Sequence, residues 1–120
     1  MRLMTVLGTR PEIIRLSRVI EKLDRLVDHT LVHTGQNFDP GLSDVFFQEL
    51  GVRAPDITLD VRSDSFGGQA GQILERAERV MRERKPDRLL ILGDTNSGLS
   101  AVVAKRLGIP LFDFRKGSAA

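Results

Sequence analysis

No cysteine occurs among the 120 residues, which excludes disulfides and thiolate metal sites. Histidine is nearly as scarce. His29 and His33 are the two present, and without carboxylate help they cannot make a zinc site. Asp39 and Asp44 lack calcium-loop spacing, so no metal is expected. Long apolar runs are missing as well: none approaches the roughly 20 residues that span a bilayer. The opening Met-Arg-Leu-Met-Thr-Val-Leu-Gly is interrupted too soon for a signal peptide. A cytoplasmic protein with no membrane partner is the expectation. Charge of one sign is also absent, with 18 Lys and Arg against 16 Asp and Glu. Acids and bases interleave, as in Glu75-Arg76-Ala77-Glu78-Arg79, so no phosphate-tracking stripe forms and nucleic acid is not an expected partner. There is no Walker A sequence, repeat, low-complexity tract or linker. Gly67-Gly68-Gln69-Ala70-Gly71 is glycine-rich but lacks the strand-then-turn context of a dinucleotide fingerprint.

What is present is the composition of an ordinary globular domain, 41% hydrophobic and 28% charged, long enough for a single modest core. The hydrophobic period alternates between strand-like runs and helix-like stripes. Leu3 to Leu7 reads as a buried strand closed by Gly8. Pro11 then sits in the first turn of a helix whose apolar positions are Ile13, Leu16, Val19, Ile20, Leu23 and Leu26. Thr30 to Thr34 is a second strand, and a helix follows from about Leu42 to Leu50 with Phe46 inward and Gly51 as its cap. Ile57 to Val61 is a weaker strand. Gln69 to Arg84 is an amphipathic helix with Glu75–Arg79 and Glu78–Arg82 pairs on its outer side, and Lys85-Pro86-Asp87 breaks it. Arg88 to Leu92, a helix from about Ser97 to Leu107 ending at Gly108, and a last strand from Pro110 to Phe114 complete a βαβαβαβαβ pattern. Strands joined by helical crossovers run parallel, so a doubly wound, Rossmann-like parallel α/β sheet with helices on both faces is predicted.

In such a sheet ligands bind outside the carboxyl ends of the strands. After the first strand comes Gly8-Thr9-Arg10-Pro11-Glu12, where a glycine turn, a helix N-terminus and the planar donor fork of Arg10 make an anion site suited to phosphate. The plainer reading is a Thr9 helix cap with Arg10 solvated. After the fourth strand, Asp94 in Gly93-Asp94-Thr95-Asn96-Ser97 faces the crevice as acid, base or sugar-hydroxyl acceptor, or else serves as a helix cap. Gln36 and Asn37, in Thr34-Gly35-Gln36-Asn37, offer amides to a sugar or base in the equivalent place after the second strand, although the same residues are ordinary turn formers. His33 is read as a structural histidine, and His29 as a solvated residue in a connection.

Taken in order, Gly-Thr-Arg-Pro-Glu, Thr-Gly-Gln-Asn, Val45-Phe46-Phe47-Gln48-Glu49-Leu50-Gly51, Lys85-Pro86-Asp87 and Gly-Asp-Thr-Asn-Ser resemble the non-hydrolysing UDP-N-acetylglucosamine 2-epimerases over residues 1 to about 112. The Thr-Gly-Gln-Asn and Gly-Asp-Thr-Asn-Ser variants look closest to a branch in surface-polysaccharide pathways that forms UDP-N-acetyl-L-fucosamine from UDP-2-acetamido-2,6-dideoxy-L-talose. The resemblance implies one half of a two-domain GT-B architecture that inverts a UDP-sugar at C2 by eliminating and re-adding UDP. It implies no cofactor, and homodimeric full-length relatives. Carried over by position, Arg10 lies near the diphosphate, Arg15 takes the place of a basic residue on the first helix, Asp94 belongs to the catalytic group, and Gln36 contacts substrate or a regulatory ligand. Asn37 replaces the histidine of the family's Thr-Gly-Gln-His.

The pattern departs after Phe112, where the family reads approximately His-x-Glu-Ala-Gly-x-Arg. Here Asp113-Phe114-Arg115-Lys116-Gly117-Ser118-Ala119 puts Arg115 in place of the catalytic glutamate. The expectation is an incomplete N-terminal Rossmann-like domain over residues 1–120, without its second domain and with most catalytic groups missing. A truncation, a frameshift near residue 113 or a foreign tail would account for the departure. Exposure of the last strand and of the face meant for the second domain predicts marginal stability or self-association there.

Overall fold

The computed structural model describes every residue except 9, 36–47, 93–95, 114–117 and 120, and excludes the side chains of 10, 96, 97, 118 and 119. Its strands are β1 (Arg2–Leu7), β2 (Asp28–His33), β3 (Ile57–Thr58), β4 (Arg88–Ile91), β5 (Leu111–Asp113) and β6 (Ser118–Ala119). They form one sheet in the order β3-β2-β1-β4-β5-β6. The pairs from β3 through β5 are all parallel, as the strand–helix alternation predicts, while β6 returns antiparallel, with Phe112 opposite Ala119. The edge of β5 expected to be exposed is therefore paired.

Alternation along β1 sends side chains to two separate cores. Leu7 joins Leu31 and Val52 under Ile13, Leu16 and Ile20 of α1 (Arg10–Leu26). Met4 and Val6 face the other way, toward Ile73, Ala77, Val80 and Met81 of α2 (Phe66–Arg84) and Val103 and Ala104 of α3 (Ser100–Arg106). Helices thus cover both faces of the sheet. The inward stripe of α1 is narrower than its periodicity suggests, since Leu26 is exposed in its last turn.

Several boundaries move for identifiable reasons. α2 begins at Phe66 rather than Gln69 because Ser65, in extended conformation, caps it: its hydroxyl accepts the Gly68 N–H at 3.0 Å. The helix stops at Lys85, which adopts a left-handed φ of 47° and donates its N–H to the Met81 carbonyl. The predicted Glu75–Arg79 and Glu78–Arg82 pairs form on its surface, at 3.3 and 2.9 Å. The helix predicted from Ser97 opens as a 3-10 turn, Asn96–Leu99, before α3, and Gly108 follows at φ +74°. Of the helix predicted over 42–50, residues 48–50 are helical and Gly51 has φ +70°, while 42–47, with Phe46, lie outside the described residues.

β3 is two residues long where five were predicted. Beyond Thr58 the chain still follows β2, with the Leu59 and Val61 N–H groups donating to the carbonyls of His33 and Thr34, but Asp60 turns left-handed at φ 57° and breaks the ladder. Arg76 of α2 fastens this turn by donating Nη1 to the Leu59 and Asp60 carbonyls.

His29 is a correction. It lies in β2, and its side chain is almost fully buried rather than solvated. The ring bridges Thr5 Oγ1 at 2.7 Å and Asp24 Oδ1 at 2.8 Å, and Asp24 is in turn held by Arg53 at 2.9 Å. Arg53 also reaches Asp56, so the end of α1 and the approach to β3 are tied to the sheet.

Candidate functional site at the carboxyl edge of the sheet

β1 and β4 lie side by side and parallel, with Leu3 opposite Arg88 and Thr5 opposite Leu90. From β1 the chain crosses through α1 to β2 on one side, and from β4 it crosses through α3 to β5 on the other. The strand order therefore reverses between β1 and β4, which makes the crevice beyond their carboxyl ends the topological switch point. Gly8 and Leu92, which follow β1 and β4, therefore lie at the same rim, ahead of the segments that carry Arg10 and Asp94 in the sequence.

The first loop is tightly held. Gly8 is buried, and a Cβ placed there would collide with Thr34 Oγ1, so only glycine lets the ends of β1 and β2 come this close. The Thr34 N–H donates to the Leu7 carbonyl at 2.9 Å. Glu12, in the first turn of α1 and fully buried, accepts the Gly8 N–H on Oε1 at 3.1 Å. Arg10 is the first residue of α1, so its backbone belongs to the helix N-terminus at this rim, while its side chain is outside the described residues. Arg15 lies about 7.5 Å further along at 1.5 Å per residue. It is exposed, with no hydrogen bond or ion pair to another described residue.

At the end of β2, His33 is 3% exposed and accepts the Gly35 N–H on Nδ1 at 2.8 Å. Burial pushes its pKa down to about 4, so the ring is neutral at pH 7, with its proton on Nε2 because Nδ1 accepts. That is the structural role read from the sequence. Gly35, at φ +83°, packs its backbone against Asp60, where a Cβ would approach the Asp60 Cα to 2.9 Å. Gln36 and Asn37 follow, outside the described residues, as does Asp94 after the buried Leu92 at the end of β4. At the end of β5, Asp113 is buried opposite Ile91.

The described residues thus bring together the strand ends that carry Arg10 and Asp94, with the approach to Gln36 beside them. Two carboxylates at this edge were not singled out by sequence reasoning. Glu12 carried a usable signal, because Thr9 and Glu12 have capping-box spacing. Asp113 carried none, since its burial depends on β5 docking beside β4. Among the described residues no group of three His, Asp or Glu side chains could hold a metal ion, and no helix is long and apolar enough to cross a membrane.

A parallel sheet that reverses its order beside a glycine turn and a helix N-terminus defines a doubly wound, Rossmann-like α/β domain, a fold class that binds its ligands at that edge. The chain belongs to the UDP-N-acetylglucosamine 2-epimerase family, whose profile matches residues 21–118, past the departure seen at Asp113. It is 37% identical over 120 residues to the UDP-2,3-diacetamido-2,3-dideoxy-D-glucuronate 2-epimerase of Pseudomonas aeruginosa, covering 98% of this chain and 34% of that protein. It superposes on the UDP-N-acetylglucosamine 2-epimerase of Rickettsia bellii with a TM-score of 0.86 at 46% identity, over 94% of this chain and 30% of the other. The Methanocaldococcus jannaschii UDP-GlcNAc 2-epimerase, crystallised with UDP-GlcNAc and UDP, gives a TM-score of 0.87 at 37% identity, over 94% and 32% of the two chains. The chain spans about a third of the length of the curated relatives it matches.

Proposed function

We propose that this chain forms one wall of a UDP-sugar site in a cytoplasmic enzyme that inverts a UDP-N-acetylhexosamine at C2, and that it is catalytically incomplete alone. The observation that carries the reading is the adjacency of the β1 and β4 carboxyl ends, together with family membership. A C2 proton beside an amide nitrogen is very weakly acidic, so direct exchange is slow. In the reading adopted here, a base removes that proton while the C1–O bond to UDP breaks, leaving a 2-acetamidoglycal. Proton return on the opposite face and re-addition of UDP at C1 complete a redox-neutral inversion that needs no cofactor.

In this scheme Arg10 and the N-terminus of α1 hold the diphosphate as its charge develops, with Arg15 adding positive potential nearby. Asp94 takes part in the proton transfers, and Gln36 and Asn37 hydrogen-bond the sugar or base. His33, neutral and buried, orders the Gly35 turn and carries no catalytic proton. The remaining groups come from a second Rossmann-like domain facing this one in a GT-B pair, and the whole enzyme works as a homodimer in surface-polysaccharide synthesis. The sugar is an N-acetylhexosamine such as N-acetylglucosamine or the 2,6-dideoxy-L-talose derivative.

The test is thermal unfolding of the chain with UDP and UDP-N-acetylglucosamine. A ligand that binds only the folded state stabilises by about 2.7 kcal/mol at a hundredfold its dissociation constant. Upward shifts at millimolar ligand that Arg10→Ala reduces support the reading, and no shift at all defeats it. Proton NMR separates the second reading, a non-catalytic nucleotide- or anion-binding module. Binding without epimer is expected of the chain alone, and epimer formation would contradict its incompleteness.

A further inference from the structure

The backbone from Leu59 to Ser63, between β3 and α2, is held by one stripe of α2. Gln69, Gln72 and Arg76 stand three and four residues apart, so their side chains share a face of the helix. Gln69 donates Nε2 to the Ser63 carbonyl at 3.0 Å. Gln72 accepts the Arg62 N–H at 2.7 Å and donates to the Arg62 carbonyl at 2.8 Å. Arg76, half-buried, donates a single nitrogen, Nη1, to the successive carbonyls of Leu59 and Asp60. Asp60, which joins those two peptide groups, is left-handed at φ 57°. A residue with a Cβ stays in that region where its surroundings fix it there.

The other side of this segment meets the exit of β2. The Leu59 and Val61 N–H groups donate to the His33 and Thr34 carbonyls at 2.8 and 2.9 Å. The Asp60 backbone closes on Gly35, where a Cβ would come within 2.9 Å of the Asp60 Cα. Thr34 in turn donates its N–H to the Leu7 carbonyl and fills the space of a Gly8 Cβ with its hydroxyl. Gln36 and Asn37 come next in the sequence. A chain of contacts therefore links Arg76 to the exits of β2 and β1. We propose that Arg76 is a positioning residue for the UDP-sugar: by holding Asp60 left-handed, it fixes the Thr34–Gly35 turn at the rim where the ligand binds. The inference rests on the UDP-sugar reading above and deepens it. Without the guanidinium, the Leu59 and Asp60 carbonyls lose a charged donor, Asp60 relaxes out of the left-handed region, and Gly35 loses its support. The rim is then correctly formed in only a fraction of molecules, and the apparent affinity falls by that fraction.

The experiment is an NMR titration of the whole chain with UDP-N-acetylglucosamine, followed on backbone amides. Arg76→Met keeps the packing of the stem and removes the donors. It should bind at least about fivefold more weakly than the parent. Before ligand is added, its Gly8, Thr34 and Gly35 amides should be displaced, and its Val61 amide should exchange faster relative to those of β1. Arg76→Lys, with one donor head left, should fall between the two. Asp60→Gly added to Arg76→Met should recover most of the loss, because glycine enters the left-handed region without penalty and no longer needs the clamp. Val80→Ala destabilises the same helix from its core side and should leave the affinity of the folded protein unchanged. Circular dichroism checks that each variant folds, and if Arg76→Met does not, the glycine rescue is read on Arg76→Lys. A folded Arg76→Met that binds as the parent does, a loss that Asp60→Gly fails to recover, or an equal loss in Val80→Ala would each overturn the proposal and leave the UDP-sugar reading standing. A parent whose amides do not respond to the ligand defeats that reading, and this inference with it.

Discussion

Lowering the pH from 7.5 to 5 should destabilise this chain through His33. The ring is 3% exposed, and burial holds its pKa at about 4 against an ordinary 6.5. In this range the unfolded chain takes up a proton that the folded chain refuses, so stability falls as pH falls through 6.5 and levels off below about 4. At 1.36 kcal/mol per pKa unit the full loss is on the order of 3.4 kcal/mol, and about 2 kcal/mol of it is spent by pH 5. Such a loss is a large share of the stability of a small domain. The shift of Asp24 is separable. Its pKa is lowered by Arg53 and His29 despite opposing desolvation, so its contribution persists above 3.8 and disappears only at more acid pH. The assay is urea unfolding at half-unit pH steps for the parent and for His33→Asn, whose side-chain oxygen can accept the Gly35 N–H. The variant should be less stable at pH 7.5, having lost ring packing, but its profile should be flatter by about 2 kcal/mol between pH 7.5 and 5. Parallel profiles would refute the argument, because His33 would then be protonated equally in the folded and unfolded states.

Gly8→Ala should cost about 1–3 kcal/mol in urea unfolding, because the new methyl lands on Thr34 Oγ1, and adding Thr34→Ala should recover part of the loss. Glu12→Ala should cost about 1–3 kcal/mol by leaving the buried Gly8 N–H without its carboxylate, whereas Glu12→Gln, which keeps an oxygen in place, should cost less. Arg53→Ala should raise the pKa of Asp24, readable by carboxyl-carbon NMR titration. Its stability cost should be only about 1 kcal/mol because the ion pairs are partly solvated.

The parallel sheet was legible because each buried strand is a short apolar run and each crossover carries an apolar stripe of helical period, so two periodicities alternate along the chain. What the sequence could not supply was contact between distant segments. The place of His29 depends on Thr5 and Asp24 arriving at its two ring nitrogens, and no periodicity records that meeting. β3 ended early because Asp60 turned left-handed under two carbonyl bonds from Arg76, a residue of the helix that follows. The missed start of α2 was legible in principle, since Ser65 is a good cap, but the glycines behind it argued against helix and the cap won.

The same distinction separates the two parts of the candidate site. Residues at strand ends could be nominated from sequence because a parallel sheet sends every strand terminus to one rim, whatever the strand order. Which termini become neighbours depends on that order. It is the pairing of β1 with β4, rather than of β1 with β2 alone, that opens a crevice between helices departing in opposite directions. A sheet ordered β1-β2-β3-β4 would carry the same motifs at the same rim yet hold the ends of β1 and β4 three strand spacings apart, roughly 14 Å at 4.8 Å per spacing. Arg10 and Asp94, proposed to hold the diphosphate and to carry protons, would then lie too far apart to act on one sugar carbon. The site proposed here is therefore a consequence of strand order before it is a consequence of any single side chain.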